Sequence, residues 1–190
     1  MKIGVLAVQG AVTEHLRHLE QCNAESVAVK DRETLEQVSG LIIPGGESTT
    51  IGKLISIFGL VDPIRERSKE GRLAVFGTCA GMILLAENIS DGLPGQPGLN
   101  LMDIQVKRNA FGRQRESFET ELQFDSLDRS LTAVFIRAPI IEKTGPEVEI
   151  LATLQEGIVA ARQGKLLATS FHPELVGDLR IHRYFIEMCR

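Results

Sequence analysis

This sequence predicts an α/β protein, with a mostly parallel sheet covered by helices on both faces and an antiparallel extension of that sheet. Three observations carry the expectation. Apolar runs in the first half, such as residues 2–8 and Leu41-Ile42-Ile43, are near-continuous rather than alternating, as strands buried on both faces must be. Stretches with helical spacing of apolar residues separate those runs. Beyond residues 91–100, a segment rich in glycine and proline, the chain turns more β-like.

Taken in order, residues 2–8 read as a strand and 12–22 as a helix with Val12, Leu16 and Leu19 on one face. Residues 25–29 make a second strand, 32–38 a short helix and 41–43 a third strand. Helical patterns at 51–58 and 63–70 precede the run Leu73-Ala74-Val75-Phe76, and a further helical stretch follows at 82–87. After the 91–100 loop come strands at 102–106, 118–124, 132–136, 148–154, 158–163 and 166–171, and residues 179–188 close as an amphipathic helix. The later strands are expected to form an antiparallel extension of the same domain, in an order the sequence does not fix. With 190 residues and no internal repeat, residues 1–190 are expected to form one domain.

Composition narrows the function classes. Hydrophobic residues at 43% and charged residues at 24% are the balance of an ordinary soluble globular protein. A net charge of −4, without a basic run on any candidate helix, argues against nucleic acid as a partner. No stretch approaches the length of a membrane span, and the apolar start meets Gln9-Gly10 too soon for a signal peptide. Cys22, Cys79 and Cys189 are scattered and odd in number, which suits free thiols in a reducing compartment, so a cytoplasmic location is expected.

Against that background, Gly77-Thr78-Cys79-Ala80-Gly81 stands out. A buried strand stops at a glycine, one reactive residue follows, and a second glycine leads into a helix: the layout of a nucleophile elbow with cysteine in the reactive place. Small neighbours are needed because a sharp strand-to-helix turn crowds the backbone, and the helix start favours a thiolate and a developing oxyanion. The bland alternative is a cysteine buried as a small hydrophobe. A base near the C-terminus weighs against it. The strand at 166–171 runs into His172-Pro173-Glu174, and on an extended chain residues two apart project to the same side. An imidazole beside a carboxylate is what a thiol nucleophile requires.

A second glycine element, Pro44-Gly45-Gly46-Glu47-Ser48-Thr49-Thr50, follows the 41–43 strand, at the sheet edge where ligands bind in parallel α/β proteins. Its backbone N–H groups can serve an oxyanion. A phosphate-binding loop is the rival, but the Gly-Lys-Ser/Thr ending is missing; a plain turn with Ser48 or Thr49 as helix cap is the third reading.

Together with Gln9-Gly10-Ala11-Val12-Thr13-Glu14-His15, Arg108-Asn109-Ala110-Phe111-Gly112-Arg113-Gln114 and Phe135-Ile136-Arg137-Ala138-Pro139, these motifs resemble the class I (triad) glutamine amidotransferases. Within that class they look like the family of glutaminase subunits that serve ribose-5-phosphate-dependent pyridoxal 5′-phosphate synthases. The six segments, in order, span most of the chain. The resemblance implies a flavodoxin-like three-layer sandwich. It implies Cys79 as nucleophile, His172 as general acid/base and Glu174 as the carboxylate that orients it. Gly46 and Ala80 would form the oxyanion hole. Gly46, Glu47, Ser48, Arg108, Ile136 and Arg137 would line the glutamine site, with the choice between Arg108 and Arg137 for the substrate carboxylate left open. No metal or organic cofactor is implied. The ammonia would pass to a separate synthase subunit, in a hetero-oligomeric complex that makes pyridoxal 5′-phosphate from a pentose phosphate and a triose phosphate.

Two other functions compete with that expectation. One is a glutaminase of the same class that serves another synthase, such as the one making imidazole glycerol phosphate; the Gln9-Gly10-Ala11-Val12 start and the 108–114 segment argue against it. The other is a non-catalytic partner module, against which the intact Cys79, His172 and Glu174 weigh. Blander readings hold elsewhere. His15 and His18, three apart on a helix, lack the further ligand a metal needs, and His182 is expected at the surface or in packing. The run Arg113-Gln114-Arg115-Glu116 reads as a solvated or partner-facing loop, and Cys22 and Cys189, at helix ends, are assigned no chemistry.

Overall fold

The structure, a computed structural model, describes residues 1–92, 95–111 and 117–190. The run 113–116, and parts of the 91–100 and 108–114 segments singled out above, lie outside the described residues. Element order begins β1 (Lys2–Leu6), α1 (Val12–Gln21), β2 (Glu25–Val29), α2 (Arg32–Glu36), β3 (Gly40–Ile43), α3 (Ser48–Ile57), α4 (Val61–Lys69), β4 (Ala74–Thr78) and α5 (Ala80–Leu85). It continues with β5 (Ala86–Ile89), β6 (Met102–Lys107), β7 (Ser117–Leu122), β8 (Leu131–Ile136), β9 (Ile140–Thr144), β10 (Glu149–Leu154), β11 (Gly157–Gln163) and β12 (Leu166–Thr169). A 3₁₀ turn (Pro173–Leu175) and α6 (Arg180–Met188) close the chain. Among the described residues, no helix is long and apolar enough to cross a membrane.

The main sheet runs in the order β2-β1-β3-β4-β12-β11-β9-β6-β5, with β10 paired to β11. Its first five strands are all parallel, the doubly wound order of flavodoxin-like folds, and the ladders from β12 through β11 and β9 to β6 are antiparallel. Alternate residues of the parallel strands supply two cores. Ile3, Val5, Ile42, Phe76 and Leu167 meet α1 and α6 through Leu19, Ile181 and Phe185. Leu6, Leu41, Ile43, Val75 and Ala168 meet α2, α3, α4 and α5 through Leu35, Ile51, Ile64 and Leu84. Helices therefore cover both faces, which is why these strands read as unbroken apolar runs. Burying one such side chain contributes about 1.5–3 kcal/mol.

The antiparallel part departs from expectation: β9 stands where no strand is expected, a helix ends early, and two strands leave the main sheet. The helix expected at 82–87 stops at Leu85, because Ala86 turns extended (ψ 138°) and β5 pairs parallel with β6, aligning Ala86 with Met102 and Ile89 with Val106. The strands expected at 118–124 and 132–136 do not extend the main sheet. They form a separate two-stranded sheet, β7 and β8, in which Phe118 stacks on its cross-strand partner Phe135 at 4.8 Å. Phe135 in turn meets Phe171 edge-on, which ties this small sheet to the segment after β12.

Parallel register aligns the carboxyl ends of the central strands: Val5 lies beside Ile42, Ile43 beside Gly77, and Thr169 beside Thr78. The loops after β1, β3, β4 and β12 consequently open on one edge of the sheet.

Candidate active site

Cys79 joins β4 to α5 with φ 48° and ψ −99°, a backbone conformation that side chains other than glycine rarely adopt. Its neighbours explain how the turn closes. A Cβ at Gly77 would lie 2.4 Å from the Gly81 carbonyl carbon, and one at Gly81 would lie 2.3 Å from the Ile43 carbonyl oxygen. Both glycines are therefore dictated by backbone approach. The Cys79 N–H is anchored to the Thr169 carbonyl (2.8 Å), and the thiol faces the Ile136 carbonyl at 3.8 Å.

His172 stands opposite, its own N–H bonded to the Val134 carbonyl of β8 (2.9 Å). Its Nδ1 lies 2.7 Å from Glu174 Oε1, and both side chains are buried. The pair forms on a different backbone from the one expected. The strand ends at Thr169, and the 3₁₀ turn rather than an extended chain folds Glu174 back under the ring. Burial alone lowers the pKa of His172. Hydrogen bonds to Cys79 and Glu174, together with their charges, outweigh that and raise it to about 10. The ring is thus an imidazolium at neutral pH, poised between a thiol and a carboxylate.

The glycine loop after β3 packs against this ring. A Cβ at Gly45 would meet His172 Cε1 at 2.4 Å, and one at Gly46 would meet Gln9 Oε1 at 2.4 Å. Gln9, on the loop after β1, accepts a hydrogen bond from the Glu47 N–H at 3.0 Å. Gly10 has φ 108° and sits so near the Gly45 carbonyl that a side chain there would collide with it. The cap of α3 is Glu47, not Ser48 or Thr49. Its carboxylate accepts from the N–H groups of Thr49 (3.0 Å) and Thr50 (2.7 Å) and from the Thr50 hydroxyl (2.6 Å). Those bonds, that from Thr50 first, hold the Glu47 carboxyl below the usual carboxylate range.

Every residue that the resemblance assigned to the site lines one cavity of about 500 Å³: Cys79, His172 and Glu174; Gly46 and Ala80; Glu47, Ser48, Arg108, Ile136 and Arg137. Arg108 is tethered there by Asp91, its N–H to the carboxylate (2.9 Å) and its Nη2 to the Asp91 carbonyl (2.8 Å). Arg137, at φ 43°, turns the chain just past β8. The cavity also holds Gln9, Ala11, Ile83, Asn109 and Leu175, which were not singled out as site residues. Of these, Gln9 carried a legible signal, standing with Gly10 just past an apolar strand.

Comparison with known proteins agrees with the geometry. The chain is 60% identical over 190 residues, all of this chain and 95% of the other, to the "Pyridoxal 5'-phosphate synthase subunit PdxT" of Pelotomaculum thermopropionicum. It is 55% identical, over all of this chain and 93% of the other, to the protein of the same name from Parafrankia sp.. Among solved structures, one described as a glutamine amidotransferase superposes with a TM-score of 0.94 at 52% identity, covering 98% of both chains. Residues 5–190 match the SNO glutamine amidotransferase family. A thiol on a strained elbow, a charged histidine, a buried carboxylate and a glycine loop around one cavity are thus found in a chain that belongs to the SNO glutamine amidotransferase family.

Proposed function

We propose that residues 1–190 act as one glutaminase domain, hydrolysing L-glutamine to L-glutamate and ammonia and delivering the ammonia to a pyridoxal 5′-phosphate synthase subunit. The observation that carries this reading is His172, buried, held by Glu174 at 2.7 Å and charged by its contact with Cys79. The Cys79 sulfur, as thiolate, attacks the side-chain amide carbon of glutamine, forming a C–S bond. The amide oxygen becomes an oxyanion, for which the N–H groups of Gly46 and Ala80 are the donors. His172 gives its proton to the amide nitrogen, the C–N bond breaks, and ammonia leaves. Water then attacks the thioester with His172 as base, releasing glutamate and restoring Cys79. Glu174 keeps the imidazole oriented and stabilises its charged form throughout. The substrate α-carboxylate docks on Arg108 or Arg137, both of which line the cavity and offer the guanidinium fork that suits it.

The synthase partner follows from the relatives, which carry the name of a pyridoxal 5′-phosphate synthase subunit over the whole length of this chain. The same names leave a glutaminase of an imidazole glycerol phosphate synthase without support. The test is ammonia and glutamate release by this chain with and without that synthase subunit, alongside pyridoxal 5′-phosphate formation by the pair. Glutamine should support the synthesis, and Cys79→Ala should abolish it while added ammonium restores it. A synthase left inactive by ample ammonium, or a Cys79→Ala chain that still hydrolyses glutamine, would overturn the reading.

A further inference from the structure

The chain has four histidines, and all four meet in one buried cluster around Glu174. His172 takes Glu174 Oε1. Behind the carboxylate, His15 Nε2 of α1 lies 3.5 Å from Glu174 Oε2 and 3.4 Å from the Thr78 hydroxyl. His15 Nδ1 meets His182 Nε2 of α6 at 2.9 Å, and His182 Nδ1 meets His18 Nδ1 at 3.2 Å. His15 and His182 have no exposed surface, His18 is 6% exposed, and the His15 and His182 rings stand edge-on to Phe76. Glu174 Oε2 is buried and makes no hydrogen bond to any described residue. A buried carboxylate oxygen without a donor is costly, so something must face it with a hydrogen.

A neutral imidazole carries one N–H and one lone pair, so a row of three can run in only two directions. Run outward, the row turns the His15 Nε2 lone pair on the carboxylate, anion against lone pair. Run inward, every nitrogen is matched: His18 Nδ1–H donates to His182 Nδ1, His182 Nε2–H to His15 Nδ1, and His15 Nε2–H points at Glu174 Oε2. Burial, with the neighbouring histidines, keeps His15 well below its ordinary pKa, and His182 is lowered to about 3, so both are neutral as the row demands. At 3.5 Å the last contact is long, of the kind that tightens when an active site engages its substrate. We infer that His15, held by the row His18–His182, is a positioning residue that donates to Glu174 Oε2 and so keeps Oε1 aimed at His172. This inference rests on the triad proposed above.

Glu174 faces His172 on its own turn and His15 on α1, with Cys79 beyond His172; His182 on α6 stands behind His15, His18 on α1 acts on the carboxylate through its charge, and Arg17 and Asp178 act at the outer, His18 end. The test uses this chain in complex with its synthase subunit and two variants of similar polarity. In His15→Gln the amide nitrogen falls near the Nε2 position; in His15→Asn it falls near Nδ1 and faces His182. The inference expects His15→Asn to lose about tenfold or more in kcat with KM for glutamine within about twofold. It expects the alkaline limb of the kcat/KM profile to move to lower pH, as a misaimed Glu174 Oε1 holds the His172 proton less firmly. His15→Gln should restore most of both. In a Glu174→Gln background, His15→Asn should cost no more than about twofold further, since the carboxylate it serves is gone. Equal kcat and unshifted limbs in the two His15 variants, or an undiminished further loss in the Glu174→Gln background, would overturn it. Cys79→Ala is measured in the same assay. If that variant is active the triad itself fails, whereas an inactive Cys79→Ala beside indifferent His15 variants removes only the positioning role.

Discussion

The two sides of Glu174 hold the same side chain in opposite charge states. On the cavity side His172 is raised to about 10; on the core side His182 is lowered to about 3, and His15 lies well below its ordinary value. Burial pushes all three down, so burial does not explain the difference. Partners do. His172 pairs with a carboxylate at 2.7 Å and a thiol, whereas the hydrogen bonds of His182 run to other imidazoles, at 2.9 and 3.2 Å. One buried carboxylate thus divides a histidine cluster into a charged part suited to proton transfer and a neutral part suited to holding still.

Removing the thiol should have the largest effect. Cys79→Ala is expected to lower glutamine hydrolysis by about 10⁴-fold or more, because no other group forms the thioester. Cys22→Ala and Cys189→Ala should keep activity, since neither lines the cavity. NMR titration of Cys79→Ala should also find the His172 pKa lowered, one of the two partners that raise it being gone. An unchanged His172 titration would assign its charge to Glu174 alone.

Glu174→Gln should cost less, about 10- to 100-fold in kcat, while His172→Asn should cost about 10²–10⁴. An oriented imidazole still forms part of the time beside an amide. The alkaline limb of the rate profile should move to lower pH, because the carboxylate that holds the imidazolium proton has lost its charge. An alkaline limb that stayed in place would mean Cys79, not Glu174, sets the His172 charge.

Much of the cavity side was legible in the sequence. Gly77, Cys79 and Gly81 lie within five residues, and His172 and Glu174 within three, so each half of the site is a local pattern whose chemistry can be read from spacing. The core side was not legible. His15 and His182 are 167 residues apart and meet only because α1 and α6 cover the same face of the sheet; on its own helix each looks like an ordinary packing histidine. For the same reason His182, expected at the surface or in packing, is wholly buried and bonded within the row. β5 and β9 were missed because Ala86-Glu87-Asn88-Ile89 and Ile140-Ile141-Glu142-Lys143-Thr144 are short and half polar. Pairing with β6 from both sides, rather than propensity, makes them strands. The Glu47 cap escaped notice because its carboxylate reaches forward into the first turn of α3, where Ser48 and Thr49 have the side chains usually sought.

The neutral row makes a stability prediction with a definite sign. His182 takes up a proton near pH 6.5 when unfolded but only near 3 when folded. Between those values the unfolded chain binds more protons, so stability rises with pH and is lost as pH falls from about 6.5 toward 3. The slope from His182 is up to about 1.4 kcal/mol per pH unit, and His15 adds in the same direction. Thermal melts across that range should show the decline, and His182→Gln should flatten it even if it lowers the melting temperature at neutral pH. A slope identical in His182→Gln would place the acid sensitivity elsewhere.

Thr78→Val gives the smallest expected effect and the sharpest reading of direction within the row. The Thr78 hydroxyl lies 3.4 Å from His15 Nε2, on the strand end that also carries the elbow. If His15 Nε2 carries the hydrogen, Thr78 is only a second acceptor beside Glu174. The near-isosteric valine then leaves His15 its principal partner, and kcat should stay within about twofold. If the row runs the other way, Thr78 is the donor that satisfies the His15 Nε2 lone pair. Valine would then strand a buried acceptor at a cost of about 1–3 kcal/mol. A lower melting temperature matching that cost in Thr78→Val, together with a shifted alkaline limb, would reverse the row and detach His15 from Glu174. A variant that melts and turns over like the parent keeps the two sides of Glu174 as described, one charged and one neutral, joined through its two oxygens.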